Sequence, residues 1–110
     1  MQNYTVKWTD DAISDFNNII DYIFGENKTN AKNIYLAIKE QCQDLDYFPL
    51  RGRVVPELKA LGFTDYREII YKRWRIIYSV EGTNVYLLLI LDSRRDIEEQ
   101  LVHRVLHHEG

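Results

Sequence analysis

Cysteine is nearly missing from this chain: Cys42 is the only one, so an internal disulfide framework is excluded and no Cys-x-x-Cys pair offers a structural zinc site. A reducing compartment is the simple expectation. Met1-Gln2-Asn3-Tyr4 lacks a cationic segment followed by an apolar stretch, and no window of about eighteen apolar residues occurs, so neither a signal peptide nor a membrane span is expected. The chain reads as soluble and cytoplasmic. Arginine is absent from the first 50 residues, where four Lys face eight Asp or Glu, a balance of −4. The other 60 residues carry all eight Arg and two Lys against nine acidic residues, a balance of +1. A protein living mainly by contact with nucleic-acid phosphate is usually more basic than a pI near 5.6, because counterion release needs clustered cations, so protein partners gain weight.

What is present is enough for one domain: 110 residues bury roughly two-thirds of their unfolded surface in a single core, and a second domain is not expected. Residues 3–8 alternate like a half-buried strand, and Thr9, Asp10 and Asp11 supply capping oxygens for a helix over about 10–25. Its apolar positions are Ala12, Ile13, Phe16, Ile19, Ile20 and Ile23, and Gly25 suits a C-terminal stop. A second helix is predicted from Thr29 or Asn30, with Ala31, Ile34, Tyr35, Ile38, Cys42 and Leu45 as its stripe and Pro49 ending the pattern by residue 48. The two form a helical hairpin.

Residues 49–65 contain both prolines and two glycines, which predicts an ordered but irregular connection; no repeat or low-complexity segment is visible. Tyr66–Tyr71, Trp74–Val80 and Asn84–Leu91 then read as an antiparallel meander, divided at Lys72-Arg73 and Glu81-Gly82-Thr83. The last segment is apolar on both faces and is expected to be a central strand covered on each side. Ser93-Arg94-Arg95-Asp96 has capping-box spacing and opens a final helix with stripe Ile97, Leu101 and Val105.

Candidate chemistry is concentrated in the arginines. An arginine interleaved with large apolar residues on a strand is costly to bury unpaired, so Arg67 and Arg75 are each expected in an ion pair, at the sheet rim or facing an anionic partner. Arg94 and Arg95 are placed in a helix's first turn, where cations oppose the macrodipole by about 0.3–1 kcal/mol each and so suggest an external use. His103 and His107, with His108 and Glu109 alongside, have a spacing that can bind metal, but such pairs near a chain end are usually solvent-exposed. Neither a metal nor another cofactor is called for. No Ser/His/Asp or Cys/His set stands out, and Cys42 falls on an apolar stripe as a small core residue.

The order of elements resembles the RelE/ParE superfamily of type II toxins. The resemblance covers nearly the whole chain and rests on Ile19-Ile20-Asp21-Tyr22-Ile23, Pro56-Glu57-Leu58, Tyr66-Arg67-Glu68-Ile69, Arg75-Ile76-Ile77-Tyr78 and Ile90-Leu91-Asp92-Ser93-Arg94-Arg95-Asp96-Ile97, closing with Leu101 and Arg104. It implies an α+β fold: an N-terminal strand, an α-helical hairpin packed on an antiparallel sheet, and a C-terminal helix. It also implies a cognate antitoxin whose C-terminal segment wraps the toxin and covers its cationic face. The RelE-like branch cleaves mRNA on the ribosome; its pattern falls on Arg67, Arg75 and Arg94, and the glutamate of a related nuclease subgroup, which also uses a histidine at the end of the last strand, falls on Glu57, so these four would be the catalytic candidates. Ile69 replaces a lysine of that pattern, Gln100 replaces a catalytic tyrosine, and Asp92-Ser93-Arg94 supplies no histidine. The ParE-like branch inhibits DNA gyrase without an assigned catalytic set, and the helical hairpin with the Arg-x-Asp-Ile ending is more similar to it. The resemblance therefore implies a growth-arresting gyrase inhibitor, with Arg67, Arg75, Arg94 and Arg95 binding the target or the antitoxin. The alternatives are a ribosome-dependent endoribonuclease, a toxin fold acting only as a binding module, and a Tyr-rich structural adaptor.

Overall fold

Thr9 starts the helical part of the fold by two hydrogen bonds made through one hydroxyl. In the computed structural model, which describes residues 3–106, strand β1 (Thr5–Trp8) leads directly into helix α1 (Asp10–Glu26). The Thr9 side chain accepts from the Ala12 amide at 3.3 Å and donates to the Leu87 carbonyl at 2.7 Å, so the helix start is fastened to the sheet. Asp10 and Asp11 fill the first turn, where negative charge favours the dipole.

The expected stop at Gly25 is not used. Gly25 is helical, and Asn27 ends α1 with its backbone N–H donating to Ile23 while its side chain caps helix α2 (Lys28–Gln43) by accepting from Asn30 at 2.9 Å. One extended residue thus serves two helices, which starts α2 earlier than Thr29. A 3-10 turn at Asp44–Asp46 continues the stripe far enough to bury Leu45. The predicted stripes are otherwise buried at Ala12, Phe16, Ile23, Ala31, Ile34, Ile38 and Cys42, whereas Ile13 and Tyr35 remain at the exposed rim.

Residues 49–65 are more regular than expected. They contain a two-residue strand β2 (Arg53–Val54) and a single-turn helix α3 (Pro56–Lys59) that starts on a proline, whose missing N–H and fixed φ suit that position. Strands β3 (Tyr66–Tyr71), β4 (Trp74–Glu81) and β5 (Asn84–Asp92) form the meander. The sheet order is β1-β5-β4-β3-β2, antiparallel except where β1 joins β5 in parallel, so the sheet is mixed. β5 lies inside it, and its two apolar faces serve two cores. Val85, Leu87 and Ile90 join the α1–α2 hairpin, while Leu89 and Leu91 join Leu58 of α3 and the Ile97, Leu101 and Val105 stripe of helix α4 (Ile97–Leu106).

The predicted capping box also shifts. The Asp96 side chain, not Ser93, accepts at the start of α4, from the Glu99 amide at 3.5 Å. Arg94 and Arg95 therefore stand in the turn between β5 and α4, closed by the Arg95 amide on the Asp92 carbonyl, and the macrodipole penalty assigned to them does not apply. His107, His108 and Glu109 lie outside the described residues.

Candidate functional site

A two-residue turn at Lys72-Arg73, with Lys72 at φ 53°, sets the β3–β4 register by pairing Tyr71 with Trp74. Ile70 consequently faces Arg75, and Arg67 faces Tyr78. Since directly paired residues share a face and neighbours alternate, Arg67 lies on the hairpin side of the sheet and Arg75 on the α4 side. The four candidate arginines are not one surface.

Arg75 is 6% exposed and fully engaged. Its Nε donates to Glu68 at 2.6 Å, and its two terminal nitrogens donate to the two oxygens of Glu57 at 2.7 Å each, a bidentate fork. Arg53 donates to the other oxygen of Glu68 at 2.6 Å. Glu68 is 1% exposed, and a carboxylate so buried is tolerable only because both its oxygens are matched. These hydrogen bonds hold the Glu57 carboxyl below its ordinary range and raise the Arg75 guanidinium further. Two arginines and two glutamates join β2, α3, β3 and β4 into a neutral, closed cluster. Arg67 is likewise structural: it donates to the Gly52 carbonyl at 2.8 Å and tethers the chain entering β2.

The open cationic site is elsewhere. Between α1 and α4, across the ends of β4 and β5, runs a groove of about 700 Å³ lined by Asp15, Tyr22, Trp74, Asp92, Gln100 and four arginines, 73, 94, 95 and 104. Its arginines are held differently from Arg75. Arg104 donates to Asp15 at 3.0 Å, joining α4 to α1. The same Asp15 oxygen accepts from the Ile90 amide at 2.9 Å, beyond the reach of β1, so a helix side chain caps that part of the strand's outer edge. Burial pushes the Asp15 carboxyl up, against the lowering effect of these two donors. Arg94 donates to both oxygens of Asp92, at 3.2 and 3.0 Å, which pulls the Asp92 carboxyl down, yet the Arg94 side chain remains 64% exposed. Arg73 lies 4.8 Å above the Trp74 ring and 3.6 Å from Asp92, with its shielded Nε making no hydrogen bond. Arg95 is exposed.

The model of the ParE toxin of the type II toxin-antitoxin system, parDE, matches residues 6–97. The chain belongs to the ParE toxin family. No curated protein matches it closely enough to count as a relative. Among solved structures, this ParE-family chain is similar to one described as the chromosomal ParDE TA system from P. aeruginosa, at TM-score 0.70 and 20% identity, covering 84% of this chain and 98% of that one. At that identity the likeness concerns the fold, which is the α+β arrangement of strand, hairpin, sheet and C-terminal helix described above.

Sequence reading found Arg94 and Arg95 of this ParE groove but not Arg73, which passed as a turn residue, nor Asp15 and Tyr22. A signal existed: Asp15, Asn18, Ile19 and Tyr22 fall at i, i+3, i+4 and i+7 on α1, one polar-edged face beside the apolar stripe. The separation of Arg67 from Arg75 was also readable, because a two-residue turn fixes which residues pair.

Proposed function

We propose that the protein arrests growth by inhibiting DNA gyrase and that a cognate antitoxin neutralises it by laying an acidic segment over the arginine groove. Membership of the ParE family supports the toxin role, and both partners would meet it in the cytoplasm. The observation that carries the choice of gyrase over mRNA cleavage is the closed pairing of Arg75 with Glu57 and Glu68. A general base needs a pKa near the working pH, and Glu57 is held below the ordinary carboxylate range by the very arginine that a nuclease would direct at phosphate. Gln100 lines the groove but carries an amide, which exchanges no proton at neutral pH.

For the antitoxin, Arg94 and Arg95 are the exposed members of the four candidate arginines, so they replace Arg67 and Arg75 as the residues expected to pair with its acidic side chains. Desolvated pairs of this kind outweigh surface salt bridges. The test is DNA gyrase supercoiling with purified protein, set beside ribosome-dependent mRNA cleavage. Supercoiling is expected to be blocked and mRNA left intact; cleaved mRNA with normal supercoiling would reverse the assignment. Arg94→Ala with Arg95→Ala should weaken both growth arrest and antitoxin affinity, and unchanged values of both would move the site away from the groove.

A further inference from the structure

The groove between α1 and α4 has the composition of a site for an anionic chain rather than of an apolar pocket, and the acidic antitoxin segment would compete there with any phosphate-bearing ligand. Its four guanidinium groups face Asp15 and Asp92 in the lining, with Asp11 a further 4.0 Å partner of Arg104, so positive charge still exceeds negative by one. Peptide and protein partners are anchored mainly by apolar and aromatic side chains seated in pockets. Among the described residues, the exposed apolar side chains Phe48, Leu50 and Tyr47 cluster instead in the segment before β2, outside the groove lining, whereas Tyr22, as exposed as Leu50, is the large one that the groove contributes. The groove offers one exposed aromatic ring, Tyr22, together with side-chain amides of Asn18 and Gln100, groups that stack on a base or bond a sugar-phosphate edge. Arg94 and Arg104 are positioned by Asp92 and Asp15, and Arg73 by stacking on Trp74. Arg95 has no side-chain partner among the described residues, although it is flanked by these fixed cations.

We infer that this groove binds the phosphodiester backbone of a nucleic-acid strand across about two phosphates, with Arg94 and Arg95 as the contacting cations and Tyr22 as a stacking platform. The inference rests on the reading above in one respect, that the groove is the target-facing surface: the strand would then be DNA held within the gyrase complex. The acidic net charge of the chain sets a limit, not a contradiction. Two contacting cations in one groove predict a weak, short contact, unlike the extended basic face of a protein that lives on nucleic acid.

Fluorescence anisotropy with labelled ten-nucleotide strands, one DNA and one RNA of the same sequence, tests it on the isolated full chain. Two phosphates on a single strand give a slope of log K against log salt of about −1.4, so affinity should fall about sevenfold between 50 and 200 mM salt. R95Q should weaken binding at 50 mM and flatten the slope to about −0.7, a fall of roughly 2.6-fold over the same range; K32Q, on α2 and outside the groove lining, should change neither. Arg95 is exposed, and a thermal melt confirms that the variant is folded. Equal affinity for the two strands supports a backbone contact available to gyrase-bound DNA, while a tenfold preference for RNA assigns the strand as RNA through its 2′-hydroxyls. The inference fails if neither strand binds at 50 mM salt, if R95Q binds as the unaltered protein does, if K32Q loses as much as R95Q, or if hexaglutamate binds more tightly than either strand. Normal supercoiling beside intact, R95-dependent strand binding would count against gyrase alone and leave the inference standing.

Discussion

Two arginine clusters sit on one small sheet, and they differ in a single respect, the number of carboxylates within reach. In the cluster of Arg53, Arg75, Glu57 and Glu68, charges match one to one and the best-buried group, Glu68, is satisfied at both oxygens. In the groove, four arginines share Asp15 and Asp92, with Asp11 4.0 Å from Arg104. The first arrangement holds elements of the fold together; the second leaves guanidinium charge exposed at the surface. An arginine on a strand therefore says little about function until its acidic neighbours are counted in space.

The comparison breaks most severely at Arg75. Arg75→Met leaves Glu68 buried with only the half-exposed Arg53 and is expected to cost about 3–5 kcal/mol in urea unfolding, because an uncompensated buried charge remains. Adding Glu68→Met should recover much of that loss, since the charge itself is then gone. Next comes Gly52→Ala. A Cβ there would stand 2.5 Å from the Glu68 carbonyl oxygen and 2.6 Å from the Tyr78 hydroxyl, which itself accepts from the Gly52 amide at 3.0 Å. The backbone cannot yield easily, so a loss of about 1–3 kcal/mol and a lower melting temperature are expected as β2 is pushed off β3.

Acid should separate the two regions more gently. Glu57, whose folded pKa is lowered by Arg75, contributes stability that is present above its unfolded value of about 4.5 and is lost as pH falls through the folded value. Asp15, whose pKa is raised by burial, has the opposite sign: its ionisation opposes folding as pH climbs from 3.8 through its folded value, and that cost disappears in acid. Urea midpoints taken downward from pH 5 should fall for the unaltered protein, less for Glu57→Gln and more for Asp15→Asn. The smallest effect is reserved for the groove cations. Arg95→Gln should shift unfolding by no more than about 0.5 kcal/mol, in keeping with an exposed residue. A loss comparable to that of Arg75→Met would mean that the groove, too, serves the fold.

Legibility in the sequence followed periodicity. The hairpin helices, the meander and the α4 stripe repeat every 3.6 or two residues over many positions, so their existence was clear even where Asn27 and Asp96 moved the boundaries. β2 and α3 have no such signal: a two-residue strand and a one-turn helix are held by contacts distant in the chain, Gly52 on Tyr78 and Arg53 on Glu68. The parallel join of β1 to β5 was hidden for the same reason, as its register connects Thr5 with Asn84. Of the candidate site, Arg94 and Arg95 were legible, whereas Arg67 and Arg75 carried the same residue type into structural roles.

By itself, then, the sequence determined the helices, the meander, the two-faced apolar strand β5 and the gathering of every arginine after residue 50, because each is written in local pattern or composition. Only the tertiary structure decided which arginines are spent within the fold and which are left over. That choice depends on strand register and on carboxylates brought from α1, α3 and β3 to within about 3 Å, and Coulomb and hydrogen-bond energies at such distances are properties of space rather than of order along the chain.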